Sequence, residues 1–256
     1  MSLRVQVLSS GSSGNAALYS AGDTHVLVDC GLRSRSLTAL LCHVGVRPER
    51  LSAVFITHEH HDHVQGLQVF MKKLRIPLFA AAECHDTPAL SQVEAWKREF
   101  LEAGRPVHLG PMQITPFLVP HDSASCCGFA VEAAGVKAVQ ATDLGQPTPL
   151  VRERLRGAHC VLLEFNHDLD RLMNGSYPTH IKMRVRGSLG HLSNEQAARL
   201  LTDTVNGETR ALYLMHLSQE NNLPELALLA AREVLGGKRV HLEVARHQQS
   251  ASPWEG

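Results

Sequence analysis

Residues 57–63 read Thr57-His58-Glu59-His60-His61-Asp62-His63, an H-x-H-x-D-H run entered from the largely apolar stretch 51–56. Histidines and a carboxylate spaced this closely can surround metal ions only if the backbone leaves a strand and loops. Imidazole nitrogen and carboxylate oxygen are ligands that zinc, manganese and iron all accept. A solvated histidine-rich turn would need no partners elsewhere. Here, further histidines and aspartates stand in matching contexts along the chain, each following or ending a short apolar or β-branched stretch. Ligands on loops at strand ends are rigidly placed and still open to substrate.

The elements that must place these groups follow from hydrophobic periodicity. Residues 3–8, 16–20 and 25–29 predict opening strands, and 34–44 a helix with Leu37, Leu40, Leu41 and Val44 on one face. Residues 53–57 form a strand feeding the histidine loop, 64–74 a helix, 77–82 a strand and 87–100 a helix. Strands are expected at 113–119, 127–133, 138–142, 160–165, 211–215 and 240–244, with helices at 147–155, 194–206 and 223–235. Ser193 is placed to cap the helix from Asn194. Residues 174–190 hold Lys182, Arg184 and Arg186 alternating with Ile181, Met183 and Val185. A strand would gather those cations on one face, whereas a helix would spread them around its axis. One domain is expected over 1–247, with a loose tail at 248–256.

The chain of 256 residues is 44% hydrophobic and 20% charged, ordinary for a globular protein. Its net charge of zero gives no global pull toward nucleic acid, though it leaves room for a local basic patch. Residues 1–8 lack the pattern of a signal peptide. No window has the roughly 18 apolar residues needed to span a membrane. The cysteines Cys30, Cys42, Cys84, Cys126, Cys127 and Cys160 form no C-x-x-C pair, which suits reduced thiols and a cytoplasmic location.

Five segments in order resemble the metallo-β-lactamase superfamily of hydrolases. They are Asp29 in Val26-Leu27-Val28-Asp29-Cys30-Gly31, the H-x-H-x-D-H run, His121 in Val119-Pro120-His121-Asp122, Asp143 in Ala141-Thr142-Asp143-Leu144-Gly145, and His216 in Leu214-Met215-His216-Leu217-Ser218. The resemblance implies a four-layer αββα sandwich, where periodicity alone gives only mixed α and β. It also implies two adjacent divalent metal ions (Zn, Mn or Fe). His58, His60 and His121 would hold the first, Asp62, His63 and His216 the second, and Asp143 would bridge them. Asp29 would orient ligating histidines rather than bind metal. His60 stands where the flavodiiron branch usually has Glu, Asp143 where many β-lactamases have Cys, and His63 where they often have Arg. Oxygen reduction and antibiotic hydrolysis are therefore disfavoured. A glyoxalase-type thioesterase usually adds a helical C-terminal domain that is not seen here.

Three more segments narrow the branch. Ser10-Gly11-Ser12-Ser13-Gly14-Asn15 is a Gly/Ser loop whose amides could face an anion. Leu163-Glu164-Phe165-Asn166-His167-Asp168 ends a strand in polar side chains. Gly190-His191-Leu192-Ser193-Asn194 is similar to a region of ribonuclease Z in which the histidine lies near the scissile phosphate. Together they look like the YycJ/WalJ subgroup, which is associated with 5′-to-3′ exonuclease activity on DNA; Phe165 departs from the Ser expected there. Only 21 residues separate His121 from Asp143, and 72 separate Asp143 from His216. Neither interval holds the tRNA-gripping arm or the large cap domain of other nucleases in the superfamily, so an open groove taking a substrate end is expected.

The expected enzyme is a metal-dependent phosphodiesterase, a DNA exonuclease using a hydroxide activated by a metal pair. Asp62 would orient or deprotonate the nucleophile, and His191 or His167 would protonate the leaving oxygen. Two rival readings are an enzyme opening a small cyclic phosphodiester, which would need a closed pocket, and a non-catalytic scaffold on the same fold. Drift in a scaffold would erode so costly a polar cluster.

Overall fold

Short strands, most of them buried on both faces, build two seven-stranded sheets in the computed structural model, which describes residues 2–256. The first sheet is made of β1 (Arg4–Ser9), β2 (Ala16–Ala21), β3 (Thr24–Val28), β4 (Ala53–Phe55), β5 (Pro77–Ala81) and β6 (Lys97–Leu101), closed at one edge by the last strand of the chain. The second comprises β7 (Val107–Leu109), β8 (Met112–Leu118), β9 (Cys127–Ala133), β10 (Val136–Ala141), β11 (Cys160–Glu164), β12 (Ala211–Met215) and β13 (His241–Val244). The final strand is β14 (Trp254–Glu255), paired antiparallel with β1.

Each sheet is half antiparallel and half parallel. Strands β3 to β6 run parallel, as do β10 to β13. The carboxyl ends of both parallel halves therefore carry the loops that follow Val28, Phe55, Ala141, Glu164 and Met215. In open α/β sheets this is the rim where ligands bind.

Between the sheets, Val5, Tyr19, Val28 and Phe55 of the first meet Phe129, Leu162 and Tyr213 of the second in one apolar cluster. Phe55 stacks on Phe79 at 4.4 Å and meets Phe129 edge-on at 5.7 Å, both favoured ring geometries. A polar link crosses this layer where Tyr19 Oη donates to Gln140 Oε1 at 2.9 Å, which satisfies both buried groups. Helices cover the outer faces. On the first sheet lie α1 (Ser34–His43), α2 (His61–Val64), α3 (Leu67–Met71), α4 (Ala82–His85) and α5 (Pro88–Ser91). On the second lie α6 (Pro149–Leu155), α9 (Asn194–Thr204) and α10 (Pro224–Leu235), while α7 (Leu169–Asn174) and α8 (Thr179–Arg186) stand in the connection between β11 and α9. The result is the expected αββα sandwich. All six cysteines are free thiols.

Three local expectations are corrected. Residues 87–100 are not one helix: α5 stops at Ser91, and 97–101 become β6. Pairing with β5 along five residues overrides helical spacing there, and the Arg98 guanidinium donates to the carbonyls of Leu90, Ser91 and Val93 just past the short helix. Trp96 and Phe100 in this segment are exposed. The helix expected at 64–74 is broken into α2 and α3 at Gly66, where a Cβ would lie 2.0 Å from the Leu32 carbonyl oxygen. The tail 248–256 is not loose. Besides the β14 pairing, Ala251 N donates to Val7 O at 2.9 Å, and Leu3 N donates to Gly256 O at 2.9 Å. Residues 179–186 are helical, with no residue fully buried, so their cations are spread around the axis.

Candidate metal centre at the sheet edges

Three of the groups at this rim sit in the left-handed region although they are not glycine: Asp29 (φ 66°), Asp143 (φ 56°) and His216 (φ 57°). Such conformations cost about 1 kcal/mol or more for an L residue and persist where the surroundings impose them. Each lies just past the end of a parallel strand, where the chain turns out of the sheet.

The side chains converge. His58, His60 and His121 offer nitrogen atoms that all lie within 4.8 Å of one another, and so do the ligand atoms of Asp62, His63 and His216. Asp143 lies between the two groups. Its Oδ2 is 3.2 Å from His63 Nε2, and its Oδ1 is 3.5 Å from His216 Nε2 and 3.8 Å from His121 Nε2. All seven expected metal-binding positions are thus brought into one cluster. His61, inside the run, points away and is exposed.

The rings are aimed by what holds their other nitrogen. His63 Nδ1 donates to Asp29 Oδ2 at 2.8 Å, His216 Nδ1 to Glu164 Oε1 at 3.1 Å, and His121 Nδ1 to Gly190 O at 3.2 Å. Each bond fixes the tautomer in which Nε2 keeps its lone pair for the cluster. Asp29, fully buried, is itself held by Thr57 N at 2.9 Å and lies behind His63, in the orienting place expected of it. One buried atom aimed into the cluster, His58 Nε2, has no hydrogen-bond partner, and Asp143 Oδ2 makes no aligned hydrogen bond although His63 Nε2 lies 3.2 Å away. An orphaned buried acceptor is costly, and a ligand-type nitrogen left so beside a buried carboxylate is what a cation would satisfy. The donor set of imidazole and carboxylate fits a divalent metal.

Charge balance agrees. Burial, followed by the neighbouring His63, drives His58 well below the ordinary imidazole range, which keeps it neutral and able to ligate. Burial would raise Asp143, but His216, His63 and His58 outweigh it and hold the carboxyl ionised. Burial would likewise lower His63 and His216, yet Asp143 and the other carboxylates facing them push both upward. Without a cation, protons on these rings compensate the carboxylates; a metal would replace those protons.

Sequence reasoning does not single out Glu164 as a site residue, yet it is the hub behind the cluster. Fully buried at the end of β11, it accepts from Asp143 N (3.2 Å), Leu144 N (3.0 Å), Leu192 N (2.9 Å), His191 Nδ1 (2.8 Å) and His216 Nδ1 (3.1 Å). Burial alone would raise its pKa, but His191 and His216 bring it down to about 2. Its lone pairs are engaged by these donors, so it is a scaffold rather than a ligand, although its oxygens lie close to those of Asp143, His191 and His216. The signal available in the sequence is a carboxylate ending an otherwise apolar strand.

The Gly/Ser loop also serves the cluster differently from expectation. Asn15 Nδ2 lies 3.2 Å from Asp62 Oδ2 and 3.1 Å from His63 Nε2, while its Oδ1 accepts from Gly11 N at 3.1 Å. Ser10 Oγ accepts from His216 N at 2.8 Å. The loop therefore props ligand-bearing segments through side chains.

The two histidines expected to donate protons differ in placement. His191 borders the cluster with its side chain 19% exposed, its Nδ1 on Glu164, and its ring 5.1 Å from that of His121. It enters α9 through Ser193, whose side chain accepts from Gln196 N in a capping box. His167 is 1% exposed, lies 3.3 Å from Asn166 Oδ1, and is lowered to about 4, chiefly by burial. It does not join the ligand groups.

A sequence profile described as the beta-lactamase superfamily domain matches residues 24–217. The chain belongs to this superfamily. It is 34% identical to the exodeoxyribonuclease WalJ of Streptococcus pneumoniae serotype 2 (strain D39) over 228 residues, 88% of this chain and 85% of that protein. It is 32% identical to the exodeoxyribonuclease YycJ of Bacillus anthracis over 240 residues, covering 93% and 91%. Among solved structures, the metallo-β-lactamase fold protein YhfI of Bacillus subtilis superposes with a TM-score of 0.76 at 20% identity over the full length of both chains. The short form of human tRNase Z gives 0.66 at 17% identity, covering 97% and 98%. These likenesses establish the sandwich, and the protein is a metal-dependent hydrolase of this superfamily.

Proposed function

We propose that this superfamily member is an exodeoxyribonuclease that removes nucleotides from a DNA end in the 5′-to-3′ direction, with two divalent ions held by His58, His60 and His121 and by Asp62, His63 and His216, and with Asp143 between them. The observation that carries the metal reading is the orphaned buried His58 Nε2 inside a cluster of converging imidazole and carboxylate ligand atoms. The relatives' shared activity, at 32–34% identity over most of the chain, supports the substrate. A cytoplasmic setting accords with the reduced thiols. Among the described residues, no helix is long and apolar enough to cross a membrane.

Bound metal ions would supply an acidified water and neutralise phosphoryl charge. The protein's own groups do the rest. Asp62 is held below the ordinary carboxylate range. Burial opposes this, but His63 and His216 outweigh it. With its side chain 20% exposed at the mouth of the cluster, Asp62 is placed to accept the nucleophile's proton. His191, paired through Nδ1 with the Glu164 carboxylate, has its Nε2 directed away from that bond, where a second proton on the ring would be carried and passed to the leaving oxygen. His167, buried and neutral, lies with its ring against Asn166 Oδ1, and its backbone carbonyl accepts from Asn194 N at 2.8 Å. Beside the His121 loop, α8 offers exposed cations for phosphates. Arg184 Nε donates to Asp122 Oδ2 at 2.5 Å, which ties that helix to the residue following His121.

This exposed flank favours a polymer over a small cyclic diester. Chelator-stripped protein reloaded with Zn, Mn or Fe should shorten DNA labelled at the 3′ end progressively, while a 5′ label is released at once as a mononucleotide. RNA and a cyclic nucleotide serve as comparators. Faster hydrolysis of the cyclic nucleotide than of any DNA would overturn the assignment.

A further inference from the structure

On the His121 side of the cluster lies an open recess of about 590 Å³. The three loops that frame it also carry site groups. The loop after β8 carries His121, the loop after β10 carries Asp143 and leads into α6 with Leu150 in its first turn, and the segment before His191 supplies Leu189. Its walls are Leu118, Leu150 and Leu189, with Cys126 buried among them. Leu118 and Leu189 are 51% and 52% exposed and stand together on this recess, an apolar surface open beside a polar centre. No Asp, Glu, Lys, Arg, Asn or Gln lines the recess. One polar atom there is both buried and unpartnered: Ser123 Oγ.

A phosphate would find no cation in this recess, and a charged side chain no counter-charge. A neutral, flat, mostly apolar group with hydrogen-bonding edges matches both walls and hydroxyl. We propose that the recess receives the base of a nucleotide adjoining the scissile phosphate, an inference that rests on the exodeoxyribonuclease reading above. The contact is sequence-tolerant. No carboxamide, cation or carboxylate is present to read a base edge, and a hydroxyl can serve as donor or acceptor to any base. Entry needs the base to leave its stack, so the recess selects single-stranded or frayed ends.

The test uses full-length, metal-loaded protein on single-stranded oligonucleotides carrying an abasic residue at the first or second position from the attacked end, with bis(p-nitrophenyl) phosphate as a substrate lacking any base. Removing the base at one of these positions should lower kcat/KM about tenfold, mainly through KM, as expected for lost apolar contact of this size. The four normal bases should be cleaved within about threefold of one another, since nothing reads their edges. Leu189→Ser and Leu118→Ser, both at exposed positions, should each shrink the intact-to-abasic ratio to about twofold or less. If wild-type protein degrades intact and abasic DNA equally, or both variants keep the wild-type ratio, the recess is not a base site while the nuclease reading stands. If bis(p-nitrophenyl) phosphate is hydrolysed but no DNA is, the nuclease reading fails and the base site falls with it.

Discussion

At the residue scale, Asp62 is the group with the most to lose. It shares the mouth of the cluster with His216 at 3.1 Å and is held from behind by Asn15. We expect Asp62→Ala to lower kcat by about 10²-fold or more while the fold survives, matching loss of an interaction made in the transition state. Near-normal turnover by purified, metal-replete variant protein would refute that role. His191 should show itself through the leaving group. His191→Ala should slow DNA hydrolysis about 10²–10⁴-fold, the usual range for a general acid, yet slow a p-nitrophenyl diester far less, since nitrophenolate departs unprotonated. Equal loss on both, in step with lost metal, would make His191 a structural prop. Much of this site is legible in the amino-acid sequence. The H-x-H-x-D-H run, Asp29, His121, Asp143 and His216 are each announced by an apolar strand running into a polar loop. Glu164 is not, because its function arises from five donors gathered by three separate segments, none of them near it in sequence except through the sheet.

At the element scale, the site depends on how closely loops cross. Residues 30–31 thread between the Gly/Ser loop and α2: Gly31 N donates to Asn15 O at 2.9 Å, and Cys30 N donates to His63 O at 2.8 Å. A Cβ on Gly31 would lie 1.7 Å from Asp62 O and 2.5 Å from Asn15 N, both backbone atoms that cannot swing aside. Gly31→Ala should therefore displace the Asp62 segment, and we expect loss of bound metal at the second group together with activity. Metal analysis of the purified variant checks this; full metal content with unchanged activity would contradict it. The elements that periodicity misreads fail for a common reason. The strand Lys97–Leu101 and the strand Trp254–Glu255 exist because β5 and β1 present open edges to them. Local periodicity cannot see a pairing partner twenty or two hundred and fifty residues away, and edge pairing outweighs weak helical propensity.

At the scale of the whole molecule, the buried polar groups at the rim of the sandwich make stability depend on pH. His167 is lowered to about 4 by burial, against an ordinary 6.5. The unfolded chain thus takes up the proton first on acidification, and the stability from keeping His167 neutral is present above pH 6.5 and lost as pH falls toward 4. Glu164 behaves in the same sense at lower pH. Its carboxyl is held near 2 against an ordinary 4.5, so its contribution is lost between 4.5 and 2. In chelator-stripped protein, the His167 linkage should cost about 2 kcal/mol between pH 7.5 and pH 5. His167→Gln should lose correspondingly less over that interval, measured as the change in urea unfolding free energy. Parallel losses in both proteins would show that His167 is not held neutral by the fold.

The open rim and the absence of any inserted arm between His121 and Asp143 lead to a substrate with an end. The most direct test is to offer linear and covalently closed circular single-stranded DNA of the same sequence to the protein, stripped of metal and then reloaded. We expect no hydrolysis without metal, progressive loss of the linear strand after reloading, and an intact circle. Cleavage of the circle at a rate comparable to the linear strand, or no DNA hydrolysis by fully metal-loaded protein, would contradict the assignment.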